Sequence, residues 1–143
     1  MGIPAYLIFW TRSFLSDRLG VVGVGHATVE VSPECGVPQG SPYSPTLFLI
    51  FINDLLHELG HLERLRFQAF ADDLILWFEG DFRRGVIHPI LQKALDVAGD
   101  WSLTWKLRFN TAKCEAICFS GANTRIRQQF EARLYSATLA HVS

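Results

Sequence analysis

The chain has 143 residues, 49% hydrophobic and 13% aromatic, with a mean hydropathy of +0.18. That suits one globular domain with a single core, excludes a disordered chain, and is apolar enough to suggest a domain meant to be covered by further chain. Thirteen Lys and Arg against 14 Asp and Glu leave a net charge of -1, so the chain as a whole carries no electrostatic footprint for a polyanion.

The three cysteines, Cys35, Cys114 and Cys118, form no C-x-x-C pair, so neither a disulfide framework nor a zinc site is expected, and a reducing compartment is the default. Cys114 and Cys118 would share one strand face as small core residues. The apolar start, Met1 to Trp10, lacks a basic leader and a cleavage site, so no signal peptide is expected. Gly2 is followed at position six by Tyr6 rather than Ser or Thr, so the myristoylation pattern fails. The apolar run Leu47 to Ile52 is broken by Asn53-Asp54, too short to span a bilayer.

In chain order, Tyr6, Leu7, Trp10 and Phe14 predict a helix from Pro4 to Asp17. From Gly20 to Val31 the period becomes two, with Gly25-His26 between, which predicts a hairpin. "ECGVPQGSPYSP" is a loop, and Ser44-Pro45 reads as an N-cap followed by Pro at the first helical position. The helix it opens carries Leu47, Phe48, Phe51, Ile52, Leu55, Leu56 and Leu59 and ends near Gly60. Leu65 to Phe78 reads as two strands meeting at Asp72-Asp73, closed by Gly80. A further helix is expected from Arg84 to about Trp105, then short strands at Lys106–Phe109 and Glu115–Ser120 joined by "NTAK". After Gly121 the pattern weakens into a polar tail. The order predicts an α+β fold, an antiparallel sheet with helices packed on one face.

Two stretches carry chemistry. "FADDL" places Asp72 and Asp73 between apolar runs. Ionised carboxylates are costly there unless paired or metal-bound, and two side by side repel unless a cation lies between them. The pair therefore asks for solvent at a hairpin tip or for a metal ion. In "GVPQGSPYSP", Gly36 and Gly40 permit backbone geometry and close approach that a side chain would block, Pro38 stiffens the loop, and the following helix N-terminus offers N–H groups to a polyanion. Read alone, it is equally a loop that merely starts a helix. His57 and His61 stand four apart but lack a matched third ligand, so they are not read as a zinc site.

"GVPQGSPYSPTLFLIFINDLL", then "FADDLILWF", then "LRFNTAKCEAICFS" resemble, in order and spacing, motifs B, C and D of the reverse transcriptases of non-LTR (LINE-type) retrotransposons. "GIPAYLIFWTRSFLSDRLGVVGVG" resembles the helix and hairpin that precede motif B. The resemblance covers roughly Gly2 to Ser120 and implies a partial right-hand polymerase palm over 1–120, with 121–143 a divergent tail. It implies that Asp72 and Asp73 hold Mg²⁺ (or Mn²⁺), two ions in the intact enzyme, for nucleotidyl transfer to a primer 3′-hydroxyl. Gly36, Pro38, Gln39, Gly40 and Ser41 would support template and incoming nucleotide. Lys113 falls at the motif D lysine position, where it would neutralise or protonate the leaving pyrophosphate. Asn53-Asp54 matches the family's "IND", with local pairing the expected role of Asp54. Pro42-Tyr43 departs from the family's usual aliphatic pair.

The resemblance also implies partners: an RNA template, a DNA primer, dNTPs, and the remaining fingers and thumb of the polymerase, with no membrane. Such proteins assemble on RNA in the cytoplasm and act in the nucleus. The family's motif A carboxylate belongs upstream of "GIP", and none of Asp17, Glu30 or Glu34 lies in such a context. The 143-residue chain alone is therefore expected not to polymerise. The rival readings are a non-catalytic remnant or binding surface, and an intron-encoded reverse transcriptase.

Overall fold

The computed structural model describes residues 2–79, 87–119 and 131–142, in two units, Met1–Phe48 and Leu49–Ser143. The expected closure at Gly80, a helix start at Arg84, and positions 120–130 of the tail lie outside the described residues.

In the first unit, helix α1 runs Ala5–Leu15. Pro4 stands just before it, and its carbonyl accepts from Leu7 N (3.0 Å) and Ile8 N (3.4 Å). The helix stops where the Ser16 amide and hydroxyl both return to the Arg12 carbonyl, at 3.0 and 2.8 Å. Asp17, at φ 52, then turns the chain. Strands β1 (Gly20–Val24) and β2 (Ala27–Val31) pair antiparallel around Gly25-His26, as expected. Gly25 takes φ 62, the positive value a two-residue hairpin loop demands at its first position.

Helix α2 spans Ser44–Gly60, but its cap differs from expectation. Tyr43 O accepts the first helical bond, from Leu47 N at 3.1 Å, which makes Tyr43 the capping position. The Ser44 hydroxyl instead donates back to Pro38 O, and Ser44 is buried. A serine one residue inside the helix has its oxygen turned toward the loop, so it fastens the loop rather than the free helix amides.

In the second unit, Ile52, Leu55 and Leu59 of α2 are buried, on the stripe the periodicity gave. Strands β3 (Leu65–Phe70) and β4 (Asp73–Phe78) form an antiparallel hairpin. Leu65, Phe67, Ala69, Leu74, Leu76 and Phe78 turn one face inward, and the opposite face stays exposed. Helix α3, Ile87–Thr104, packs on this hairpin and buries Ala94, Ala98, Trp101 and Ser102. Its end has Lys106 at φ 57, with Lys106 N bonded to Leu103 O (3.3 Å) and Leu107 N to Ser102 O (3.0 Å). That is the Schellman pattern, with lysine where glycine is usual.

The strand expected at Lys106–Phe109 does not form. Leu107 N is used by the helix end, and Phe109 N donates to the Tyr135 hydroxyl at 3.0 Å, so these donors are unavailable to a ladder. "NTAK" closes as a 3₁₀ turn, Thr111–Lys113, capped by the Asn110 side chain on Ala112 N. Strand β5 (Glu115–Ile117) pairs parallel with β8 (Ala140–Val142), while β6 (Arg133–Leu134) pairs antiparallel with β7 (Ala137–Thr138). The fold is α+β as expected. The sheet differs: among the described residues there are separate two-stranded ladders, one of them parallel.

The end of the chain is tied down. Ala132, Leu134 and Leu139 form a buried cluster with Leu95, Phe109, Cys114 and Ala116 against it. The Gln92 amide donates to Arg133 O (2.8 Å) and accepts from Arg133 N (3.0 Å). Tyr135 OH also meets Ser102 Oγ at 2.6 Å. Cys114 lies in this cluster, its thiol donating to Asn110 O, and burial pushes its pKa up. Cys114 thus packs partly buried against the core as read, but it and Cys118 flank β5 rather than sharing a face of it. No helix among the described residues is long and apolar enough to cross a membrane.

Candidate active site

The acidic pair lies at the tip of the β3–β4 hairpin. Phe70 pairs with Asp73, so Ala71 and Asp72 form a two-residue loop and Asp73 begins β4. Ala71 carries φ 50, a value costly for a residue with a Cβ. The strands on either side present their apolar inner face to the core, and their hydrogen bonds hold the tip's backbone. Both carboxylates are exposed, and among the described residues neither makes a hydrogen bond or ion pair. Two unengaged carboxylates, adjacent in sequence, offer hard oxygen donors of the kind a divalent cation such as Mg²⁺ takes. Their chemistry fits such an ion. Among the described residues no group of three or more His, Cys, Asp or Glu side chains could hold a metal.

Asp54 has the opposite surroundings. Its Oδ1 accepts from the Trp101 indole at 2.7 Å, and its Oδ2 from the Trp105 indole at 3.0 Å. Phe51, one turn earlier on α2, meets both indoles edge-on at 5.2 Å. The expected local pairing of Asp54 is present as a bond from Leu55 N to its Oδ1 at 2.8 Å, and beyond it Asp54 bridges α2 to Trp101 of α3 and to Trp105 just past its end. The two tryptophans are four apart, on one helix face, which the sequence displayed; which acid they shared, it did not.

In the first unit, Gly36 and Gly40 take φ 82 and φ 88, and a Cβ built at either would meet nothing within 4 Å among the described residues. Backbone conformation, not space within this chain, is what asks for glycine there. Pro38 O receives Ser44 Oγ, and Ser41 Oγ accepts from Tyr43 N at 3.3 Å. Gln39 and Gly40 are exposed. Tyr43, the departure noted above, has a place: its hydroxyl meets Thr11 Oγ1 at 2.9 Å, and its ring lies edge-on to Trp10 and Phe14 at 4.8 and 5.9 Å.

Lys113 is exposed on the 3₁₀ turn of the second unit and has no ion pair among the described residues. Asp72 and Asp73 are thus neighbours on one tip, Gly36 to Ser41 one continuous loop of the other unit, and Lys113 a separate turn. His57 and His61 meet edge-to-face at 4.6 Å, without a third ligand among the described residues. Residues the sequence did not single out are Arg18, whose Nη2 donates to Gly36 O at 2.9 Å, and Thr11, Gln92 and Tyr135. A lone Arg or Tyr whose partner is many residues away leaves no periodic trace.

The profile of the family described as "Reverse transcriptase (RNA-dependent DNA polymerase)" matches residues 1–135. The chain is 29% identical over 123 residues to the RNA-directed DNA polymerase from mobile element jockey of Drosophila melanogaster, covering 82% of this chain and 13% of that protein. It is 32% identical over 114 residues to a 115 kDa protein in the type-1 retrotransposable element R1DM of the same species, covering 80% and 11%. With the jockey polymerase of Drosophila funebris it shares 31% over 93 residues, covering 62% and 10%. The chain therefore spans only a small part of the length of these relatives. No solved structure matches it.

Proposed function

The chain belongs to the reverse transcriptase family, as reverse transcriptase sequence of a non-LTR, LINE-type element, and from that premise we propose that it forms the metal-bearing part of a polymerase palm. Reverse transcriptases use divalent metal ions; here the ions would be two Mg²⁺, with Asp72 and Asp73 as their ligands in this chain. The observation that carries the reading is the tip itself: two adjacent exposed carboxylates, both unengaged among the described residues, on a hairpin fixed by its own ladder. Divalent ions, when bound, supply charge neutralisation at the primer hydroxyl and the leaving pyrophosphate.

The remaining roles belong to the chain's own groups. Gly36, Pro38, Gln39, Gly40 and Ser41 support the template base and the incoming dNTP from a loop that exposes Gly36, Gln39 and Gly40 and leaves Pro38 and Ser41 half-buried. A glycine there lets backbone approach a base without a side chain between. Lys113, a flexible ammonium without an ion pair among the described residues, neutralises pyrophosphate charge or donates a proton to it. The template is RNA and the primer DNA, and fingers and thumb come from the rest of the polymerase, with this palm portion over 1–120. Two carboxylates without a third among the described residues are a partial ligand set, so the chain by itself is not expected to extend a primer.

The test is paramagnetic broadening of backbone amide signals by Mn²⁺. Broadening centred on Ala71 to Leu74, abolished in Asp72→Asn and Asp73→Asn, is the expected outcome. Broadening that ignores both substitutions would remove the metal role and favour the non-catalytic remnant.

A further inference from the structure

The loop from Gly36 to Tyr43 is not held by its own backbone alone. Its first residue is gripped by Arg18 Nη2 at the Gly36 carbonyl. Its last is gripped by Thr11 at the Tyr43 hydroxyl, with Trp10 and Phe14 around the ring. Both grips come from α1 or the residues just after it. The β1–β2 hairpin makes the first one possible, because pairing Gly20 with Val31 returns the chain to the place it left. There Ser32 Oγ reaches Arg18 O at 3.5 Å, and Arg18 reaches Gly36.

The Arg18 contact is the more telling. Its Nε is shut away from solvent with no hydrogen-bond partner among the described residues, an arrangement that costs stability wherever it occurs. A cation kept in that position must be held there by the packing around it. Gly36, the residue it grips, is at φ 82, a region glycine visits about as readily as negative φ, so its own backbone preference does not fix it there. A charge-assisted bond to a carbonyl is stronger than a neutral one and fixes that peptide plane.

We propose that Arg18 and Tyr43 are positioning residues that pin the two ends of this loop, leaving Gln39 and Gly40 as its free crest for template and nucleotide. Neither need touch nucleic acid. The inference rests on the reading of Gly36 to Ser41 as template and nucleotide support, and its physical half, the pinning, is measured separately.

Two readouts on the full chain separate them: amide hydrogen exchange across Gly36 to Tyr43, and fluorescence anisotropy of a labelled DNA primer annealed to an RNA template. Arg18→Met is expected to speed exchange at the loop amides and weaken primer–template binding, each about tenfold, as loss of a charge-assisted bond implies. Arg18→Lys, which keeps a charged donor, is expected to recover most of both. Arg12→Met, on exposed α1 surface, removes one positive charge nearby and should change neither. Tyr43→Phe loses only the hydroxyl contact and should loosen the Ser41–Tyr43 end with a smaller effect. Exchange within β3–β4 should be unchanged in every variant, which identifies a global folding defect if it is not.

Loop exchange unchanged in both Arg18→Met and Tyr43→Phe overturns the pinning. Equal loss of binding in Arg18→Met and Arg12→Met overturns positioning in favour of bulk charge. A wild-type chain that binds no primer–template, while Arg18→Met still loosens the loop, removes the nucleic-acid reading and leaves the pinning standing.

Discussion

Asp54 and the Asp72–Asp73 pair are carboxylates of the same unit with opposite employment. Asp54 has both oxygens taken by the indole N–H groups of Trp101, on α3, and Trp105, just past its end, so its charge fastens α2 to the end of α3. At the hairpin tip neither carboxylate is engaged within the described residues, and the backbone ladder alone fixes their place. An acid whose acceptors are filled by the protein is structural; an acid left with all its acceptors open, on a rigid turn, is available to something else. Sequence context separates the two poorly, since both sit among apolar neighbours.

The sharpest way to break this comparison is Asp54→Ala. It leaves the buried Trp101 indole N–H without its acceptor and should cost roughly 2 kcal/mol, the usual cost of stranding a donor bonded to a charged group. Urea unfolding measures it; a cost near zero would make the α2–α3 bridge incidental. Next comes the contrast between the two hairpin loops, which place Gly25 (φ 62) and Ala71 (φ 50) at the same first position. Ala71→Gly should raise stability by about 1 kcal/mol, because the left-handed region is strained for alanine. A loss of stability would mean the methyl is packed rather than tolerated. Smallest is the effect of Asp72→Asn or Asp73→Asn on the same unfolding curve, below about 0.5 kcal/mol as for surface positions without partners. A larger cost would show that the tip carboxylates support the fold after all. If they are neutral to the fold yet abolish Mn²⁺ broadening, the division between structural and available acids is clean.

Much of the architecture was legible along the chain. The α2 stripe from Leu47 to Leu59, the β1–β2 turn at Gly25-His26 and the alternation around "FADDL" all appear where local periodicity puts them, because each rests on contacts within one element or across one tight turn. The N-cap moved by one residue because Ser44 found Pro38 O instead of helix amides, a choice between two nearby acceptors and donors that composition does not rank. Lys106–Phe109 read as a strand because its apolar alternation is strand-like; Ser102 and Tyr135 took its backbone partners. The tail looked patternless because β6, β7 and β8 are two or three residues long, too short for any period to register.

By itself, then, the sequence determined the ordered blocks that carry the family, the type of most long elements, and the identity of the acidic pair and the glycine loop. These follow from local propensity, periodicity and motif spacing, which are properties of neighbouring residues. Only the tertiary structure decided which carboxylate is bound and which is open, that Arg18 and Tyr43 hold the loop's ends, and that residues 132–139 complete a core with Leu95 and Phe109. Those are pairings between residues 18 to 51 positions apart. They are selected by the geometry of packed elements and leave no mark in the local pattern of either partner.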